Sequence, residues 1–265
     1  MMYWAILLFC NFVKVLCVPH PIVGGRTAQP NTYGYQASLR YATEAIEFHF
    51  CGGSIISDKC ILTAAHCYEV LTKPNRELSR VHVYVGTIYA KKSPNDKGDM
   101  YGVESFKKHE QFNRTSLIND LAVVTTDKPI RFNFRVWPIK LATIRPPDGS
   151  FITVTGWGYI KNGVKVIPRK LQVINLKMMS LTDCMALNPL DPSCPLEKVT
   201  ETNICIVGNV GQSTCQGDSG GPAAYNGELV GAISFGADQC GDGKPSVMTC
   251  VIDYIEWIRN QTEMH

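Results

Sequence analysis

The feature that most constrains this chain is a succession of short apolar or alternating runs separated by turn chemistry. YQASLRY, GGSIIS, VHVYVG, LAVVTT, FITVTGWG, KLQVINLKM and ELVGAISFG are such runs, and KPNRE, SPNDKGD, RPPDGS and KNGVK are among the clusters between them. Gly, Pro, Asn and Asp supply the backbone conformations that turns require, and many short strands at this spacing specify an all-β sandwich or barrel. The last stretch breaks the pattern. From Val251 to Ile258, the residues Val251, Ile255 and Ile258 recur near one helical face, which predicts a C-terminal helix over about 251–262. Patterning alone stops at a β protein with a terminal helix and leaves the topology open.

A chain of 265 residues with 45% hydrophobic content can bury a substantial core, as one large β domain or two small ones closely joined. The net charge of +3, without a run of like charges, argues against nucleic acid and against strong membrane attraction. Residues 1–17, MMYWAILLFCNFVKVLC, read as a secretory signal, with a cut after Cys17. Two of the eleven cysteines lie in that leader, and the rest belong to a chain expected outside the cell, where disulfides form. No Cys or His spacing fits zinc.

Three segments carry chemistry: Leu62-Thr63-Ala64-Ala65-His66-Cys67, Asn119-Asp120-Leu121-Ala122-Val123-Val124 and Gly217-Asp218-Ser219-Gly220-Gly221-Pro222. Each alone could be structural. Together, in the order His, Asp, Ser, they form the set a hydrolytic triad needs. A serine hydroxyl is a poor nucleophile at neutral pH and needs a base; imidazole titrates in the right range; a buried carboxylate orients the imidazole and stabilises its cation.

With these segments the sequence resembles the chymotrypsin-type serine proteases, and among them insect chymotrypsin-like enzymes. Ile22-Val23-Gly24-Gly25, Cys51-Gly52-Gly53-Ser54, Gly156-Trp157-Gly158 and Ser234-Phe235-Gly236 extend the likeness over nearly the whole chain after residue 21. The resemblance implies two antiparallel six-stranded β-barrels, about 22–132 and 133–250, with the active site in the cleft between them. It implies a secreted, monomeric serine endopeptidase with His66, Asp120 and Ser219 as catalytic residues and the N–H groups of Gly217 and Ser219 as oxyanion hole. Its partners would be protein or peptide substrates and protein inhibitors, and it would need no cofactor. It also implies disulfides Cys51–Cys67, Cys184–Cys205 and Cys215–Cys240. Cys60, Cys194 and Cys250 are left over; Cys60 and Cys250 read as buried small hydrophobes, and Cys194 as the best candidate for other pairing.

Specificity would lie around Ser213, at the pocket floor. Trypsin-like members carry an aspartate there, and a serine cannot repay the desolvation of a buried cation. Gly236 leaves one wall open, Ser246 makes the pocket shallower and Met248 adds apolar lining. The expected preference is Phe, Tyr, Leu or Met before the scissile bond. Asp238 and Asp242 near the rim keep a mixed or collagenase-like specificity as the alternative. Ser234, Phe235 and Gly236 would receive the substrate backbone as an added strand.

In the family, Asp218 pairs with the amine freed by cutting before Ile22. Pro21 precedes Ile22, so a trypsin-like cut is not available. The short propeptide 18–21 reads instead as two X-Pro dipeptides, Val18-Pro19 and His20-Pro21, which an X-Pro dipeptidyl peptidase would remove in turn. Asn113 and Asn260 open N-glycosylation sequons. The loop from Thr87 to Lys97, where some relatives bind calcium, carries three lysines and only Asp96 as an acid, so no calcium is expected. His49, His82 and His109 read as structural or surface residues. The reading from another class is a protease-like protein that binds partners in the cleft without cutting them; such proteins usually lack a triad member.

Overall fold

The computed structural model describes residues 21–160, 164, 166–187, 199–237 and 239–262. The leader, Cys194 and Asp238 lie outside them. After a two-residue strand β1 (Arg26–Thr27), six strands close the first barrel: β2 (Gln36–Ala42), β3 (Glu47–Ile55), β4 (Cys60–Thr63), β5 (Val81–Val85), β6 (Asp99–Lys108) and β7 (Ala122–Thr126). Their order around it is β2-β3-β4-β7-β6-β5. A short β8 (Lys140–Leu141) precedes β9 (Phe151–Gly156), β10 (Gln172–Met179), β11 (Asn203–Val207), β12 (Pro222–Tyr225), β13 (Glu228–Gly236) and β14 (Ser246–Cys250). These run β10-β11-β14-β13-β12-β9, and pairing of β9 with β10 closes the second barrel. Every pairing within the two barrels is antiparallel.

The continuous apolar run LAVVTT has a physical explanation in this architecture. Alternate residues of a strand face opposite ways. Ile61 and Val124 point into the first barrel with Leu39, Ile55 and Val83. Leu62 and Val123 point out of it, and there they meet Leu229, Ala232, Val251, Tyr254 and Ile258 from the second half of the chain. Both faces of β4 and β7 are therefore buried, one in a barrel core and one in the seam between barrels. The second core holds Ile152, Val154, Ile174, Leu176, Ile204, Ile206 and Ile233, and Ile22 is fully buried among them.

The chain ends in a 3₁₀ turn, Val251–Tyr254, that runs into an α-helix, Ile255–Thr262. The tight first turn repeats every three residues. Tyr254 therefore takes the inward place after Val251, while Ile255 is only half-buried. Among the described residues no helix is long and apolar enough to cross a membrane.

The three expected disulfides are present. Cys51–Cys67 ties β3 to the turn carrying His66, Cys184–Cys205 ties the helix Leu181–Leu187 to β11, and Cys215–Cys240 joins the segment before Ser219 to the loop after β13. Cys60 and Cys250 are buried and belong to none of these bridges.

Candidate active site

His66 sits in the 3₁₀ turn Ala65–Thr72 after β4, and Asp120 lies just before β7, its partner strand. Asp120 is fully buried and grips His66 twice: Oδ1 accepts the His66 backbone N–H at 2.8 Å, and Oδ2 accepts from ring Nδ1 at 2.7 Å. The second bond fixes the tautomer, because a carboxylate only accepts; Nδ1 carries hydrogen and Nε2 is left to face the cleft. Ser234 Oγ donates to the same Oδ2 at 2.5 Å, and Thr249 Oγ1 donates to the Asp120 carbonyl at 2.9 Å. Burial alone would push the Asp120 carboxyl up, but the His66 charge and the donors from His66 and Ser234 outweigh it and hold it below the ordinary range.

Ser219 comes from the second barrel, in a tight turn before β12. Gly52 N donates to the Ser219 carbonyl at 2.8 Å, which joins β3 of the first barrel to this turn. Gly220 follows with φ of +72°, and a side chain there would run into Thr63 Oγ1 and the backbone of Ala64 and Gly52. The amides of Asp218, Gly220 and Gly221 donate to Cys215, Ile233 and Asp218 carbonyls, whereas none of the described hydrogen bonds is donated by the Gly217 or Ser219 N–H. Two N–H groups flanking Asp218 beside a hydroxyl make a corner of the kind that can receive an anion. Gly217 reaches it with φ of +99°, a conformation that suits glycine.

His49 orders this corner. Its Nε2 bonds the Gly217 carbonyl at 2.8 Å, and its Nδ1 pairs with Ser38 Oγ, also at 2.8 Å. Burial pushes this imidazole down to about 4, against the pull of the Gly217 carbonyl and with a further lowering by Arg40. The ring is thus neutral, with Nε2–H donating to Gly217 and Nδ1 accepting from Ser38. Ser38 Oγ in turn accepts from Arg40 Nε at 3.1 Å. A buried chain of donors runs from Arg40 to the loop holding Ser219. Sequence reading placed His49 among structural histidines; its tie to Gly217 spans 168 positions and leaves no local signal.

Asp218 is fully buried, and its carboxylate accepts the backbone N–H of Gly158 at 2.7 Å and of Cys215 at 2.9 Å. Burial pushes its carboxyl up to about 6 despite those amides. The Ile22 segment lies close by in the fold: Ser213 N donates to the Val23 carbonyl at 3.1 Å, and Gly24 packs on Gly211 and Gln212.

His66 and Ser219 line one cavity of about 330 Å³, together with Thr214, Gln216, Ile233 and the stretch Ser234, Phe235 and Gly236. Beyond Ile233 the chain leaves its ladder with β12, so this stretch borders the cleft. Arg114 and Glu69, an ion pair at 2.9 Å, form the rim, next to the exposed Asn113. Asn260 is exposed on the terminal helix.

Three residues expected in the pocket lie beneath its wall. Ser213, Ser246 and Met248 are buried, with Met248 fully enclosed in the second core. The reason is strand alternation: Ser246 and Met248 share the inner face of β14, and Met248 is one step deeper. Thr214, which sequence reading did not name, is also buried but lines the cavity directly. Its Oγ1 bonds Ser246 Oγ at 2.8 Å, and Ser213 Oγ donates to the Thr214 carbonyl at 2.8 Å. Asp242 pairs with Lys244 at 3.8 Å. Of the remaining histidines, His82 bonds Glu47 at 2.8 Å and His109 stacks on Trp257.

Among the described residues one grouping has metal-ligand proximity, Cys51, His66 and Cys67. Two of its members are joined as a disulfide and offer no thiolate.

Known proteins have related sequences. The Trypsin family model matches residues 22–258. Trypsin delta of Drosophila erecta is 33% identical over 237 residues, covering 89% of this chain and 87% of its own. Brachyurin of Leptuca pugilator is 35% identical over 244 residues, with 91% and 98% covered. Serine protease 1 of Rattus norvegicus is 33% identical over 241 residues, with 90% and 89% covered. With two closed barrels and this likeness along nearly its full length, the chain belongs to the trypsin family and is a serine endopeptidase.

Proposed function

We propose that this enzyme cuts peptide bonds through an acyl-enzyme on Ser219, after apolar residues of medium to large size. The observation that carries the reading is the double grip of Asp120 on His66, which leaves Nε2 toward the cavity that Ser219 shares. His66 Nε2 takes the Ser219 hydroxyl proton as Oγ attacks the substrate carbonyl. The oxyanion settles on the Gly217 and Ser219 amides. Asp120 stabilises the imidazolium, which then protonates the leaving amine. Water, deprotonated by the same imidazole, splits the ester and restores Ser219. The substrate backbone adds as a strand along Ser234, Phe235 and Gly236.

The preference for an apolar side chain rests on the pocket base. Ser213, Thr214 and Ser246 satisfy one another's hydroxyls or a backbone carbonyl, and among the described residues no carboxylate stands with them to repay a buried Lys or Arg. Export follows from the leader 1–17 and the three disulfides. Activation follows from Asp218, a buried carboxylate that the Ile22 amine would neutralise once the X-Pro dipeptides 18–21 are removed. A fluorophosphonate probe tests the chemistry: it should label Ser219 in the mature enzyme and fail on Ser219→Ala. Unchanged labelling of that variant overturns the assignment. A chromogenic peptide panel tests the pocket, and a preference for Arg over Phe or Leu overturns it.

A further inference from the structure

Asp120 is held from a side that the triad does not account for. The preceding residue, Asn119, has φ of +58°, in the left-handed region. Asparagine tolerates that conformation better than most residues, at a cost that its surroundings must offset. Both ends of its side chain are fastened. Asn119 Nδ2 donates to the Gln111 carbonyl at 3.0 Å, and Asn119 Oδ1 accepts the Tyr254 hydroxyl at 2.7 Å. The Leu121 amide closes back on the Asn119 carbonyl at 2.8 Å, so the chain turns sharply around Asp120. On the other side of that turn, Thr249 Oγ1 holds the Asp120 carbonyl.

Thr249 and Tyr254 belong to one short stretch, the end of β14 and the 3₁₀ turn after it. Tyr254 is buried, and its ring meets His109 edge-on at 5.4 Å. We propose that the stretch from Thr249 to Tyr254 clamps the turn that aims Asp120, with the Tyr254 hydroxyl a positioning group acting through Asn119. The proposal rests on the triad reading above. Tyr254 touches no reacting atom. It fixes the left-handed residue from which the Asp120 carboxylate is aimed at His66.

The test is steady-state kinetics of Tyr254→Phe, normalised by active-site titration. The ring and its edge-on contact with His109 stay; one hydroxyl goes. A net hydrogen bond is worth roughly a few-fold to tenfold, so kcat should fall by about that factor, with KM within about twofold. A looser Asp120 stabilises the imidazolium less, so the acid limb of the pH–kcat profile should move to lower pH. Asn119→Gly, which keeps the turn accessible but removes both side-chain bonds, should lose at least as much. The double variant should be no worse than Asn119→Gly alone, since both changes break one contact. Trp257→Phe is the structural control. It removes the bond from Trp257 Nε1 to Glu110 at 2.8 Å on the same terminal segment without touching Asn119. It should lower the melting temperature and leave the acid limb in place. An unchanged kcat and acid limb in Tyr254→Phe, or losses that add in the double variant, overturn the clamp. Native turnover in Ser219→Ala would instead overturn the triad reading itself.

Discussion

Ser234 Oγ lies 2.5 Å from Asp120 Oδ2, so a hydroxyl of the second barrel completes the shell of a carboxylate held by the first. The contact joins residues 114 positions apart. Ser234→Ala removes a donor to a buried charge, an interaction typically worth about 1.5–3 kcal/mol. Turnover should fall by about tenfold or more, measured by steady-state kinetics. Stability should respond as well. A carboxylate held low contributes stability that is present above its unfolded pKa and lost as pH falls. With the donor gone the folded value rises, so acid unfolding of the variant should begin at higher pH.

The uncut precursor should show the opposite dependence at Asp218. Its carboxyl is raised by burial to about 6 from an ordinary value of 3.8, so the folded chain holds its proton more tightly than the unfolded chain does. That contribution is fully present below the unfolded value and lost as pH rises through about 6. A shift of this size corresponds to roughly 3 kcal/mol. Urea unfolding of Ser219→Ala precursor between pH 4 and 8 should show the loss. Asp218→Asn should flatten it, and the mature chain, with the Ile22 amine freed, should not show it.

Gly220→Ala should cripple both folding and activity. The added methyl meets Thr63 Oγ1 and the backbone of Ala64 and Gly52, at a φ that alanine resists. A loss of more than about 3 kcal/mol is expected in denaturant unfolding. Any protein recovered should react slowly with the fluorophosphonate probe.

Ser246→Gly should change selectivity more than stability. It removes the partner of Thr214 Oγ1 and opens depth below the cavity. The ratio of kcat/KM for Tyr over Leu before the scissile bond should rise by about tenfold, the scale of one or two methylene-sized contacts in an apolar pocket. An unchanged ratio would place the pocket floor elsewhere.

The strands were legible because their periodicity and turn residues are local, whereas the two barrels followed only from the family resemblance; His66, Asp120 and Ser219 were legible because each sits in a distinctive short segment. What stayed hidden depends on contacts between distant strands. Ser234 reads as a strand residue beside the cleft; only the fold brings its hydroxyl to Asp120. Met248 reads as pocket lining until β14 alternation carries it one step into the core. Tyr254 escaped because helical spacing of 3.6 was assumed from Val251 onward, whereas the first turn is 3₁₀ and swings Tyr254 inward instead of Ile255.

The position of β14 also decides when the second barrel can close during synthesis. Ser246–Cys250 sits between β11 and β13, and it is the last strand synthesised. Until it emerges from the ribosome the second barrel stays open, the turn before Asp120 lacks Thr249 and Tyr254, and Ser219 has no finished cavity. Chains that stall or are truncated before that strand therefore carry every residue of the triad and no cutting power. Closing the barrel is thus a late folding step, distinct from the later release of the Ile22 amine that would switch the enzyme on.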